Sequence, residues 1–258
     1  MAADAPSRTH IVIVPCYNAG ERVLHTVAEL RQVWNPVLVV IDGSTDGMGE
    51  TLSRRASSDP GLQVLALPRN GGKGAAILAG LHHAAAKRFS HALTFDADGQ
   101  HPASHVAEFM AASQRMPWAM MLGVPVFAAD APALRVGGRK ISNFWAKLET
   151  GGVIGDSLFG FRVYPIAPLL RIMQRTRWMR RFDFDPEAAV RMCWAGVPPV
   201  NLPAPVRYLT RHEGGVSHFR YGRDNALLTC MHVRLMITAL LWHLPAMLRP
   251  WPHPRRTP

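Results

Sequence analysis

Apolar residues along the chain fall into short continuous runs. Each run ends in a polar, often glycine-rich turn and is followed by a stretch with helical spacing. Ile11-Val12-Ile13-Val14-Pro15 is the first, a β-branched run that predicts a central parallel strand. The loop Cys16 to Glu21 leads into Arg22 to Val33, where Val23, Val27 and Leu30 repeat at the spacing of one helix face. Val37 to Ile41 and Leu62 to Leu67 predict two further strands, and an alanine-rich helix is expected from about Ala75 to Ala86. A fourth strand lies in the apolar positions Ala92, Leu93 and Phe95. This repetition predicts an α/β fold: a doubly wound, mostly parallel sheet with helices on both faces and right-handed crossovers. Beyond Met110 the alternation loosens. A strand is expected over Ala119 to Phe127, a helix over Arg135 to Lys147, a glycine-bracketed strand over Gly155 to Pro165, and a helix over Ala188 to Ala195.

Ligands of such a sheet bind outside the carboxyl ends of the strands, where Asp42, Lys73, Asp96 and Asp98 all fall. The second and fourth of the first four strands end in carboxylates, and in Phe95-Asp96-Ala97-Asp98-Gly99-Gln100 two acids stand two residues apart on a turn. Acids at the end of a buried strand are costly to desolvate unless a cation or hydrogen-bond donors compensate them. Hard oxygen ligands on a tight turn suit Mg²⁺ or Mn²⁺ bridging substrate phosphates. Asn70-Gly71-Gly72-Lys73-Gly74 lacks the Gly-Lys-Ser/Thr of a P-loop, yet its glycines, the helix start and Lys73 resemble an anion cradle. Asp183, Asp185 and Glu187 precede a helix and read first as N-terminal capping chemistry. Arg207 to Arg223 reads as a basic lid or phosphate-contacting arm.

Charge changes the picture more than overall composition does. Of 258 residues, 29 are Lys or Arg and 18 are Asp or Glu, a net charge of +11. Residues 134–258 hold 19 of those cations against 7 acids, so the whole excess lies in the second half. An anionic partner follows: nucleic acid, a phosphorylated substrate or an anionic membrane surface. The three cysteines, Cys16, Cys193 and Cys230, are far apart and form no metal-binding or disulfide pattern, which suits a reducing, cytoplasmic compartment. The polar N-terminus leads straight into a strand, and no signal peptide is expected.

Taken together, Val14-Pro15-Cys16-Tyr17-Asn18, Asp42-Gly43-Ser44-Thr45-Asp46-Gly47, Asn70 to Gly74, Asp96-Ala97-Asp98-Gly99-Gln100-His101, and Asp156 with Gly160-Phe161-Arg162 resemble a family 2 glycosyltransferase of the GT-A fold. The branch most similar is the dolichol/polyprenyl-phosphate mannose synthases, over roughly residues 10–220. The resemblance implies inverting transfer from a GDP- or UDP-linked sugar, without a covalent intermediate, to a lipid-linked or membrane-bound acceptor. It implies donor binding by Pro15, Tyr17, Glu21, Asp42, Lys73 and Asp96. It further implies a metal shell of Asp96, Asp98 and Gln100, and places Arg139 and Arg162 near the sugar or acceptor phosphate. Catalytic roles then fall to Asp98, Arg162, Glu187 and Asp156. A phosphate acceptor needs no base. A hydroxyl acceptor does, and Glu187, Asp185 and Asp156 are the candidates in that order. Two departures stand out: Ile41 replaces the first of the family's two acids before Gly-Ser, and Gly123-Val124-Pro125 occupies a position where a basic residue is common. The donor base and the acceptor, lipid phosphate or lipid hydroxyl, therefore stay open.

Two rival classes remain. A sugar-phosphate nucleotidyltransferase would carry a glycine-rich basic signature near its N-terminus, which Pro15 to Gly20 does not match. A basic nucleic-acid-binding protein would interleave aromatics with Lys and Arg, whereas the aromatics here sit within apolar runs, so no nucleic-acid partner is expected. The expected organisation is a catalytic domain over residues 1–224 and an apolar, basic helix and tail over 225–258. Within Leu227 to Leu248, His232, Arg234, His243 and Pro245 interrupt the apolar run, so it is expected to lie on the inner face of the membrane as a peripheral helix, the alternative being a helix packed on the sheet or in a dimer interface. Arg234 would snorkel to the headgroups, with Arg220, Arg223, Arg249, Arg255 and Arg256 flanking and Trp242 and Trp251 at the interface.

Overall fold

A computed structural model describes residues 5–127, 133–206 and 221–243. In chain order its elements are β1 (His10–Cys16), α1 (Arg22–Val33), β2 (Val37–Asp42), α2 (Met48–Ala56), β3 (Leu62–Leu67), α3 (Lys73–Ala86), β4 (His91–Thr94), α4 (Val106–Arg115), β5 (Met120–Phe127), α5 (Ala133–Thr150), β6 (Arg162–Pro165), α6 (Ile166–Gln174), α7 (Phe184–Trp194), β7 (Pro199–Val206) and α8 (Tyr221–Thr238). A single wider π-type turn, Ala239–His243, continues α8. The strands form one sheet in the order β3-β2-β1-β4-β6-β5-β7. Strands β1 to β4 are mutually parallel, β6 runs antiparallel to both β4 and β5, and β7 is parallel to β5.

Both faces of the sheet are covered, which is why the central strands read as unbroken apolar runs. Ile11 and Ile13 point into a core shared with α3, α6 and α7, while Val12 and Val14 point into the opposite core, against α1 and α4. Met231 and Leu235 of α8 belong to the first of these cores. The expected boundary at 224/225 therefore falls inside one helix, and that helix packs on the sheet domain rather than standing apart from it.

Several elements differ from the expectation. Helix α7 begins at Phe184, not Ala188, so Asp185 and Glu187 lie within its first turn. Of the stretch Gly155 to Pro165, only Arg162–Pro165 is strand. Helices α4 and α6 and strand β7 were not signalled. Prolines at 199, 203 and 205 disguise β7, which pairs only with β5 at the sheet edge, where strands tolerate missing N–H groups. Most of the predicted basic lid (207–220) and the tail with Arg249, Trp251, Arg255 and Arg256 lie outside the described residues.

At the amino ends of the strands, away from the functional cleft, His10 and His91 are register partners with their rings stacked 4.5 Å apart. Burial, and next the neighbouring His91, lower the His10 pKa to about 4, and burial also lowers that of His91. Both rings take up a proton less readily in the folded chain than in the unfolded chain, which does so near pH 6.5. Stability is therefore complete above about pH 6.5 and falls as pH drops toward 4. His10→Gln keeps a hydrogen-bonding side chain without that titration. Urea midpoints at pH 7 and pH 5 should show the wild type losing about 1–2 kcal/mol more than the variant, the lower figure allowing for solvent screening.

Candidate functional site

A single cleft of about 1270 Å³ opens at the carboxyl ends of β1, β2 and β4. Its floor joins Pro15 near the end of β1 and Tyr17 just after it, Asp42 at the end of β2, Lys73 at the start of α3, and Asp96, Asp98 and Gln100 after β4. Cross-bonds between loops hold these positions. Asn18 N–H donates to Ser44 Oγ at 3.1 Å, Thr45 N–H to Asn18 Oδ1 at 2.8 Å, and Gly20 N–H to Asp46 Oδ2 at 3.0 Å. Glu21 is exposed at the start of α1 and is not among the cleft-lining residues.

The expected anion cradle already has an occupant. Asp42 accepts the Gly71 N–H at 2.9 Å on one carboxylate oxygen and the Gly72 N–H at 2.8 Å on the other. In the first turn of the helix, Ala75 N–H bonds to the Arg180 carbonyl at 3.0 Å. Asp42 thus organises the glycine loop from within, as an internal anion would.

Lys73 is likewise matched inside the protein. Its ammonium lies 2.7 Å from Asp96 Oδ1 and 2.7 Å from Asp185 Oδ2. Burial opposes its charge, but the two carboxylates outweigh burial and raise its pKa. A Cβ at position 160 would stand 2.6 Å from Lys73 Nζ and 2.8 Å from Asp96 Oδ2, so only glycine fits over this ion triplet. His101 Nε2 lies 3.0 Å from the other Asp96 oxygen. Burial opposes ionisation of Asp96 as well, yet Lys73 and then His101 hold its carboxyl well below the usual range.

Asp98 is in the opposite situation. One oxygen accepts the Gln100 N–H at 3.0 Å, while burial, and next the charge of Asp96, push its pKa up. A cation beside it would relieve both penalties. Among the described residues no three His, Cys, Asp or Glu side chains converge as a metal cage. The donor set therefore suits a divalent ion held by Asp98, the Gln100 amide and ligand oxygens, with Asp96 anchored behind by Lys73.

Four predicted site residues have other partners. Arg162 is fully buried, and its guanidinium donates to the carbonyls of Phe159, Asp156 and Asp185 and to Tyr164 Oη. It cannot reach a substrate; it fixes the backbone of Asp185. Asp156 accepts from Arg139 at 2.6 Å, Asn143 at 2.9 Å, and the N–H groups of Leu158 and Phe159 at 3.0 and 2.7 Å, and it is not among the cleft-lining residues. Arg139 lines the cleft, but as the partner of Asp156. Glu187 does not line the cleft; its oxygens receive Arg191 at 2.7 Å and Arg234, and burial pushes its pKa up against them. Asp185 takes the place expected for Glu187. It lines the cleft, and its Oδ1 is buried without a hydrogen-bond partner. Two residues apart on a helix, Asp185 and Glu187 face opposite ways, and the sequence alone could not say which faces the ligand.

The outer wall of the cleft is apolar. Ile141 and Trp145 of α5, with Val233, Met236 and Ile237 of α8 and Leu240 beyond it, line it. His232 and Arg234 of α8 are turned toward the domain, whereas Arg223, Asn225 and Thr229 are exposed. His232 bonds through Nδ1 to Glu149 at 2.8 Å and through Nε2 to Ser142 at 2.9 Å, bolting α8 to α5. Arg234 pairs with Glu187 and stacks on Trp178 at 4.2 Å instead of reaching outward to headgroups. Val233, Ile237, Leu240 and Leu241 are exposed apolar side chains, between 54% and 69% accessible. This outward row of aliphatic side chains, on a helix whose core face holds Met231 and Leu235 beside His232, is the feature sequence reading missed. The signal was there in the same residues, but only the packing direction distinguishes a helix lying on lipid by its core face from one offering its outer face.

A family model described as Glycosyl transferase family 2 matches residues 11–169. Undecaprenyl-phosphate mannosyltransferase of Micrococcus luteus is 32% identical over 219 residues, covering 79% of this chain and 85% of that protein. Polyprenol monophosphomannose synthase of Mycolicibacterium smegmatis is 27% identical over 229 residues, covering 84% and 83%. Among solved structures, glucosyl-3-phosphoglycerate synthase from Mycobacterium tuberculosis, in complex with Mn²⁺, uridine diphosphate and glucosyl-3-phosphoglycerate, superimposes with a TM-score of 0.57 at 16% identity. The alignment covers 91% of this chain and 79% of that one.

The electrostatics of Asp98 can be tested without turnover. Its raised pKa means that the ionised carboxylate is a cost at neutral pH, fully absent only below the ordinary carboxyl range. In chelator, Asp98→Asn should melt about 2–4 °C higher than wild type. Added Mn²⁺ should raise the wild-type midpoint and leave the variant's unmoved. Equal responses of both proteins to Mn²⁺ would remove Asp98 from the ion's shell.

Proposed function

This chain belongs to glycosyl transferase family 2, and from that premise we propose that it transfers a sugar from a nucleotide-diphospho-sugar to a polyprenyl-phosphate acceptor at a membrane surface. One observation carries the reading. A single cleft runs from a floor of Asp96, Asp98, Gln100 and Lys73 to a wall of Trp145, Ile237 and Leu240, so one substrate end is polar and anionic and the other is hydrocarbon. The names of the two relatives support the same acceptor class. Among the described residues no helix is long and apolar enough to cross a membrane. The outward apolar residues of α8, with Phe144 and Leu148 of α5, supply a surface for peripheral contact with the cytoplasmic leaflet, where anionic lipids would attract the basic second half.

The chemistry asked of the chain is displacement at the sugar's anomeric carbon. The acceptor oxygen forms the new bond from one face as the bond to the diphosphate breaks on the other, and the nucleoside diphosphate leaves with the electron pair. Configuration inverts. A phosphate acceptor is already anionic, so the chain need only orient it. A divalent ion held by Asp98 and Gln100 would neutralise charge on the departing diphosphate. Lys73 fixes Asp96 and Asp185 at either side of the reacting space, and Gly160 keeps that space open. Asp185 Oδ1, buried and unpaired, is placed to accept a hydroxyl of the transferred sugar. That same oxygen favours a second reading, a lipid hydroxyl acceptor, whose proton Asp185 would take.

Purified protein with Mn²⁺ should be offered GDP- and UDP-sugars together with a short-chain polyprenyl phosphate, a polyprenol and 3-phosphoglycerate. Transfer to the polyprenyl phosphate is expected, with Asp98→Asn slower by about 10²–10³-fold. Product formed only on the polyprenol selects the second reading, and product formed only on 3-phosphoglycerate overturns both. The double variant Ile237→Asp/Leu240→Asp should lose flotation with anionic liposomes while its melting temperature holds, because both side chains are exposed. Undiminished flotation would sink the membrane contact.

A further inference from the structure

Cations and carboxylates along the cleft are nearly all matched to one another. Lys73 is held by Asp96 and Asp185, Arg139 by Asp156, Arg223 by Asp224 and His232 by Glu149. Arg181 lines the same cleft and has no carboxylate partner among the described residues. The turn that carries it is fixed from both sides. Asp183 does not cap α7 with its side chain but reaches back, taking the Arg181 N–H at 2.8 Å and the Met179 N–H at 2.9 Å. Met179 adopts a left-handed conformation, φ 59°, to let this happen. The neighbouring Arg180 turns away, donating to the carbonyls of Trp178, Met173 and Thr176 at 2.9, 3.1 and 2.9 Å. A Cβ on Gly72 would stand 2.8 Å from Arg181 Cγ, so the Arg181 stem lies directly against the first turn of α3.

We propose that Arg181 binds a phosphate group of a substrate in this cleft, in the role that the glycine loop and Lys73 suggest from sequence. The inference rests on the glycosyl-transfer reading and adds a binding residue to it. Gly71 and Gly72 N–H groups are taken by Asp42 and the Lys73 charge by two acids. A phosphate arriving beside Asp98 and Asp185 therefore needs another positive group to offset their repulsion. A guanidinium offers two parallel donors matched to phosphate oxygens, and the positive end of α3 adds to its field. The phosphate could belong to the donor's diphosphate or to the acceptor's monoester; both present the same oxygens.

Calorimetric titration separates the two sources. Wild type, Arg181→Gln, Arg181→Lys and the control Arg177→Gln, whose side chain lies outside the cleft, would each be titrated with UDP plus Mn²⁺, GDP plus Mn²⁺, and citronellyl phosphate. Arg181→Gln should weaken at least one probe by about 10- to 100-fold, the loss expected for a charge-assisted hydrogen bond, and Arg181→Lys by less. Arg177→Gln should bind as wild type does. Loss confined to the nucleotides assigns the donor diphosphate, and loss confined to citronellyl phosphate assigns the acceptor. Should Arg181→Gln fail to fold, Arg181→Lys decides, since it keeps the charge and loses the fork: several-fold weakening supports the inference and unchanged affinity overturns it. Wild-type binding that survives Arg181→Gln intact overturns the inference alone. Wild type that binds none of the three probes overturns the transfer reading and the inference with it.

Discussion

The cleft depends on one buried ammonium. Lys73 stands between Asp96, which follows β4, and Asp185, in the first turn of α7, with 2.7 Å to each. Three elements far apart in sequence are thereby tied at one point. Removing the cation would leave two desolvated carboxylates facing each other, a loss of the kind that costs about 3–5 kcal/mol when a buried pair is broken. The surrounding residues serve the same point. Gly160 makes room for the triplet, Arg162 holds the Asp185 carbonyl, and Asp156 holds the loop from which Arg162 reaches. Residues that look catalytic in sequence are, in three dimensions, the frame around the residues left to act.

That frame explains the distribution of charge along the cleft. Carboxylates outnumber the cations free to meet a ligand, because most cations are already engaged with acids of the chain itself. On the proposed reading, such a site favours an anion accompanied by a divalent ion over one that arrives without compensation. Asp98, desolvated and repelled by Asp96, is where that compensation is most needed. An active site that stores an unfavourable carboxylate gives up stability for function.

The helix α8 joins the polar floor to the apolar rim. Two of its residues form specific bonds to the domain, His232 to Glu149 and Ser142, and Arg234 to Glu187, while Val233 and Ile237 face outward. Its core face is apolar as well, since Met231 and Leu235 are buried there, so the helix carries hydrocarbon on both sides. The helix is held to the domain by hydrogen bonds and ion pairs as well as by burial, and its outward hydrocarbon lines the outer wall of the cleft.

Much of this could be read from the chain alone. The strands β1, β2 and β3, the helix α1 and the carboxyl-end placement of Asp42, Lys73, Asp96 and Asp98 follow from hydrophobic period and turn chemistry, which are local. Strand β7 was hidden because its prolines contradict strand propensity, and only its edge position makes them tolerable. Roles within the site were not legible for a different reason. Whether Asp42 meets a ligand or two glycine N–H groups, whether Asp185 or Glu187 faces the cleft, and whether Arg162, Arg181 or Arg234 carries an available charge are questions of partner and direction. A sequence lists charged groups without their pairing. Pairing is decided by contacts between residues about 25 to more than 100 positions apart, such as Lys73 with Asp185, and these exist only once the sheet has brought the strand ends together.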